Sequence, residues 1–133
     1  MDTRRARIIV ISLVVTFVIM RSTMQLSPES DFNVGGYNIH HLFTGLLLIV
    51  AGGMPLALFP GRSKGLDVAA MTFGIGLSLA LDEWVYLIAT DGTNASYLLP
   101  VSLRGGIVMI GLAVAYVAIL YILSRDKQPP SNP

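Results

Sequence analysis

LSLALDEWVYLIA, residues 77–89, reads as part of a hydrophobic helix with two acids set side by side in it. Asp82 and Glu83 follow Leu-Ser-Leu-Ala-Leu and precede Trp84, Val85 and Tyr86, so no polar stretch surrounds them. The apolar run reaches back to Leu66, which is long enough at 1.5 Å per residue to cross a bilayer. A charged side chain at the middle of such a helix costs about 2.5–3.5 kcal/mol even on the lenient insertion scale. Two adjacent carboxylates therefore demand partners, and in lipid those partners must come from other helices.

The composition agrees with a membrane reading. Of 133 residues, 53% are hydrophobic and 13% charged, and mean hydropathy is +0.68. That is too little charge to cover a soluble domain of this size, and the length suits one domain. A formal net charge of +1 offers no basic surface for nucleic acid. The absence of cysteine removes disulfides, thiolate metal sites, iron–sulfur clusters and dithiol redox chemistry.

Working outward from the acids, the sequence predicts an all-α, polytopic membrane protein. A four-transmembrane-helix bundle is expected over residues 1–124, with helices at about 7–26, 39–59, 66–89 and 101–123, followed by a disordered cytoplasmic tail at 125–133. The basic start MDTRRAR and the apolar stretch 8–20 also fit a signal peptide, but no small-x-small cleavage site follows Met20, so the segment reads as a retained span. Pro60-Gly61 ends the second span, Asp91-Gly92 marks a turn after the third, and Pro100 suits the first helical position of the fourth.

Four spans put Arg4, Arg5, Arg7, Arg62, Lys64, Arg125 and Lys127 on one side, while loops 27–38 and 90–99 contain no Lys or Arg. By the positive-inside rule both termini are expected in the cytoplasm, with the protein a multi-pass component of the cell (inner) membrane. Tyr37, Trp84, Tyr86 and Tyr97 gather toward the outer side, as an aromatic belt would. Asn94-Ala95-Ser96 matches a short glycosylation sequon on that side.

The remaining ionisable residues fall at one depth. Arg21 and Asp82 lie roughly 20 Å above the cytoplasmic ends of their helices, and His41 and Arg104 roughly 27–30 Å, by helical rise. Every span thus delivers an ionisable group to one outer zone: Arg21, the pair His40 and His41, the pair Asp82 and Glu83, and Arg104. Small residues at helical spacing mark the faces that pack closely in lipid. Ala70, Gly74, Ser78 and Asp82 form such a stripe, as do His41, Gly45 and Gly52 on the second helix and Arg104, Gly111, Ala115 and Ala118 on the fourth. Asp82 and Arg104 are therefore expected to face inward. Arg21 lacks a small-residue stripe, and both an inward course and snorkelling to headgroups are open to it. Because adjacent helical residues diverge by about 100°, one of the two acids is expected to enter the pocket and the other to meet the rim or a neighbouring subunit.

Pairing Asp82 or Glu83 with Arg21 or Arg104 gives a neutral set, with the imidazoles in addition. A purely structural ion pair is the plainest reading. The sharper one is a divalent-metal site formed by His40, His41, Asp82 and Glu83, although the Glu-x-x-His spacing of di-metal bundles is absent. Asn38 is a fair cap for the helix that the histidines open.

IHHLFTG (39–45) and GIGLSLALDEWVYLI (74–88) resemble a loose group of small prokaryotic integral membrane proteins. These carry a His-His doublet opening one helix and a G-x-G-L…L-D-E motif in the next. The resemblance runs from the second helix to the start of the fourth, including Arg104, and implies a bacterial origin without naming a substrate. Three functions are open at this level. The first is a protein whose outward-facing pocket binds or passes an ion, a proton or a lipid headgroup. The second is a membrane-embedded metal-dependent enzyme, and the third an accessory subunit of a larger membrane complex with the cluster as its structural lock. Expected partners are membrane lipid and either further copies of the chain or a larger complex.

Overall fold

Four helices are long and apolar enough to cross a membrane: α1 (Thr3–Leu26), α2 (His41–Leu58), α3 (Lys64–Ala89) and α5 (Pro100–Arg125), with a one-turn α4 (Asn94–Tyr97) between the last two. A minimal antiparallel ladder, β1 (Asn33–Val34) on β2 (Tyr37–Asn38), lies between α1 and α2. This computed structural model describes residues 2–26, 33–34, 37–38 and 40–125. The expected all-α membrane bundle is the fold, and of the tail expected at 125–133, residues 126–133 lie outside the described residues.

Helix ends differ from the sequence expectation where side chains cap them. Asp2 Oδ1 accepts the backbone N–H of Arg4 at 3.0 Å, so α1 starts at Thr3 and the basic residues join its first turns. Ser63 caps α3, its Oγ accepting from Leu66 N at 3.2 Å, and the helix starts at Lys64. Arg125 belongs to the last turn of α5, not to the tail, where a cation faces the negative end of the helix dipole. Gly61 (φ +87°) and Gly92 (φ +74°) take the left-handed conformation in the two turns that the Pro-Gly and Asp-Gly pairs indicated.

The central helix is α3. Half of its spanning window is buried, against 11–17% for the other three. Its small residues explain why. A Cβ on Gly76 would come within 2.6 Å of Gly45 O, and one on Gly45 within 2.7 Å of Gly76 O, so α2 and α3 touch backbone to backbone there. Gly52 extends the same seam against Ala69 and Phe73. On another side of α3, Gly74 lies against the α1 backbone at Ile9. On a third, Val85 fills the space beside Gly105 of α5. Ala70, Gly74, Ser78 and Asp82 are all buried, as their spacing indicated.

The small-residue stripe expected to turn α5 inward does the opposite. Arg104, Gly111, Ala115 and Ala118 are exposed, and nothing lies within 4 Å of a Cβ built on Gly111. The buried face is Ser102, Gly106 and Ile110. Both series are rich in small residues, and composition alone does not separate them.

Arg4 pairs with Asp67 at 2.6 Å, Arg62 with Asp2 at 3.2 Å, and Arg5 donates to Gly61 O, tying the start of α1 to the α2–α3 turn at one basic end of the bundle. The contrast between the seams predicts that Gly76→Val lowers unfolding stability in detergent by about 1–3 kcal/mol or more, since backbone must move. Gly111→Val should stay within about 0.5 kcal/mol of the parent in the same denaturation experiment.

Candidate functional site

At the end of the bundle away from the basic turn, Asp82 leaves α3 toward α1, α4 and α5. Arg21 of α1 reaches it there, donating from Nε at 2.8 Å and Nη2 at 2.6 Å, both to Oδ1. The other carboxylate oxygen, Oδ2, accepts from the Tyr97 hydroxyl of α4. Arg21 spends its remaining donors on backbone and hydroxyl oxygens. Nη1 donates to Tyr97 O, and Nη2 to Ser102 O and Ser102 Oγ on α5, each at 3.1 Å. The guanidinium carbon also lies 4.1 Å from the Tyr97 ring centroid and 5.8 Å from that of Phe17. Arg21, Asp82 and Ser102 are at most 8% exposed. One ion pair thus joins four helices and leaves no carboxylate oxygen without a donor.

The space for it comes from Gly106. A Cβ there would stand 2.5 Å from Asp82 Oδ1 and 3.2 Å from Arg21 Nη2. Burial, reinforced by the carboxylate it faces, pushes the Tyr97 phenol well above its ordinary range, so the phenol keeps its proton and donates it. Tyr97 stacks edge-on against Tyr86 at 5.2 Å, and with Met24 the two rings close the network on one side. The short helix that positions Tyr97 is held by Thr93, whose Oγ1 accepts Ser96 N, and by the buried Ser96 hydroxyl donating to Thr93 O at 2.8 Å. The sequon read at Asn94-Ala95-Ser96 therefore lies on a helical turn, with Ser96 Oγ engaged inside the protein.

Glu83 turns the other way, toward α2. Its Oε2 accepts the backbone N–H of Leu42 at 2.7 Å, and its Oε1 lies 3.2 Å from His41 Nδ1. The N-cap position of α2 is His40, not Asn38, and His40 makes no side-chain cap bond. Glu83 supplies that cap from a different helix, placing a negative charge at the positive end of the α2 dipole. His40 packs its ring 6.2 Å from Tyr86, and the His41 side chain is 29% exposed.

Of the six residues singled out in the sequence, five are gathered in two groups by α3, and one is not. Arg104 is exposed, because the face of α5 that packs inward is two residues away, at Ser102 and Gly106. The expectation that one acid enters the interior and the other meets the rim is also corrected: both are 3% exposed, on different sides of α3. The proposed metal set is divided by the same geometry. Asp82 faces Arg21 and Tyr97 while Glu83 faces the histidine end of α2, and among the described residues no group of three or more His, Asp and Glu side chains could hold a metal ion.

Sequence reasoning missed Tyr97 and Ser102 as partners of the charged pair. In the sequence Tyr97 stands out only as a belt aromatic, and the Thr93-x-x-Ser96 pattern before it is the local signal of the capped turn that aims it. Ser78, one turn from Asp82, keeps a buried hydroxyl without a hydrogen-bond partner.

Removing one member of a buried ion pair strands the other. Arg21→Met should therefore cost about 3–5 kcal/mol of unfolding free energy, with much of the loss recovered in the Arg21→Met/Asp82→Leu double variant. Arg104→Gln should change stability by no more than about 0.5 kcal/mol in the same assay. Glu83→Ala should fray the first turn of α2, read as faster amide exchange at Leu42, at a cost of about 0.5–2 kcal/mol for the lost cap. No family model, curated protein or solved structure matches the chain.

Proposed function

We propose that this chain is a non-catalytic accessory subunit of a larger membrane complex, a rigid four-span bundle that works by lateral association. Its termini would lie in the cytoplasm of a bacterial cell, since Arg4, Arg5, Arg62 and Lys64 gather at one end of the bundle. The observation that carries the reading is the outer face of α5. There Arg104, Gly111 and Ala115 are exposed at helical spacing, with open space at Gly111, while the buried charges are matched inside the bundle. A cation above small residues on a lipid-facing helix is the arrangement that a neighbouring helix carrying an acceptor would cover. The Arg21–Asp82 pair then serves as the lock that holds α5 in this presentation.

His41 favours a second reading. Its imidazole is partly exposed beside the buried Glu83, so a small cation has access to the pair that anchors α2. In that case the bundle binds or passes a small ligand at its non-basic end.

Affinity purification in a mild detergent, followed by in-membrane cross-linking from α5, separates the two. The accessory reading expects a stoichiometric membrane partner that is lost in Gly111→Leu while the bundle stays folded. Recovery of a lone monomer with no cross-linked neighbour would overturn it. The second reading expects His41→Gln to abolish a phenotype without loss of that partner.

A further inference from the structure

The lock at one end of the bundle has a consequence at the other. Helices α1 and α5 meet through Arg21 and Ser102 near the non-basic end, and toward the basic end they enclose an open apolar groove of about 360 Å³. Val10 and Ile11 form one wall, and Val114, Val117 and Tyr121 the other. Arg7 stands in the lining. Arg4 and Arg5 are committed to Asp67, Asp2 and Gly61 O, whereas the Arg7 side chain makes no ion pair or hydrogen bond among the described residues. Arg125 stacks over the Tyr121 ring at 5.7 Å and has no acidic partner among the described residues either. The groove is thus apolar along its walls, with Arg7 in its lining and Arg125 against the lining ring of Tyr121, neither with an acidic partner among the described residues.

We infer that this groove is a binding site for one anionic glycerophospholipid of the leaflet at the basic end. An acyl chain lies between Val10, Val114 and Val117, and the phosphate is held by Arg7 and Arg125. Charge decides for an anionic headgroup: Arg7 in the lining and Arg125 over the lining ring of Tyr121 have no acidic partner among the described residues, and phosphate is the acceptor that the membrane supplies at that level. The apolar walls at Val10, Val114 and Val117 offer an acyl chain continuous contact below such a headgroup. This site lies beside the α5 face assigned above to a protein partner and stands independently of that assignment.

The test uses purified full-length protein exchanged into mixed micelles holding equal amounts of phosphatidylglycerol and phosphatidylcholine with identical acyl chains, and counts retained lipid by native mass spectrometry. One retained phosphatidylglycerol per chain is expected, with preference over phosphatidylcholine lowered about five-fold in Arg7→Gln and again in Arg125→Gln, the change expected for one basic residue at a headgroup. Val114→Trp, which fills the groove, should remove the retained lipid of either kind. The two arginine variants alter partly or fully exposed side chains, so they keep the test decisive even if Val114→Trp misfolds. Equal retention of both lipids by the parent protein overturns the inference, as does a phosphatidylglycerol preference unchanged in Arg7→Gln/Arg125→Gln. Lipid-free dimers in the parent spectrum would instead assign the groove to a second copy, and would also overturn it.

Discussion

A guanidinium buried among apolar helices cannot be left unmatched, and this requirement organises one end of the molecule. Arg21 is satisfied only where Asp82 of α3, the Tyr97 carbonyl of α4 and both oxygens of Ser102 on α5 converge on it. Each of those elements is thereby fixed relative to α1. The pair gains strength from the low dielectric around it, and the same low dielectric makes any displaced member costly, so the arrangement has few alternatives. Gly106 shows how closely the surroundings are fitted, because its missing side chain is the space that Asp82 and Arg21 occupy.

The second acid follows a different logic. Glu83 answers the need of a helix start whose own cap residue, His40, supplies no side-chain acceptor. Successive residues on α3 thus serve opposite sides of the bundle, one as counter-ion and one as cap, because the helical step turns them about 100° apart. Together they explain how a span tolerates two adjacent carboxylates, each removed from lipid by a different neighbour. Close backbone contacts at Gly45, Gly52, Gly74 and Gly76 bring those neighbours near enough to do so.

This division of labour bears on function. Charged groups in a spanning helix commonly mark a transport path or a reactive centre. Here both oxygens of Asp82 are engaged by Arg21 and Tyr97, and both oxygens of Glu83 by the start of α2. Among the described residues, cations without an acidic partner lie on the outside instead, at Arg104 on α5 and at Arg7 and Arg125 beside the α1–α5 groove.

Much of the architecture was legible in the amino-acid order. Apolar length fixed four spans, because backbone groups in lipid must be satisfied within the helix. Pro-Gly and Asp-Gly pairs marked turns that the structure places at Gly61 and Gly92. The cost of burying charge made it necessary that Asp82 find a cation, and spacing with Ala70, Gly74 and Ser78 turned it inward. Which cation it would find was a matter of rotation. Two series of small residues on α5 compete for the interior, and only docking against Val85 and Asp82 of α3 selects the one with Ser102 and Gly106, leaving Arg104 outside. The roles of Tyr97 and Glu83 likewise depend on neighbours distant in sequence, a carboxylate 15 residues back and a helix start 41 residues away. Local sequence sets how much polarity a helix carries and on which stripes; the relative rotation of packed helices decides which of those stripes meet.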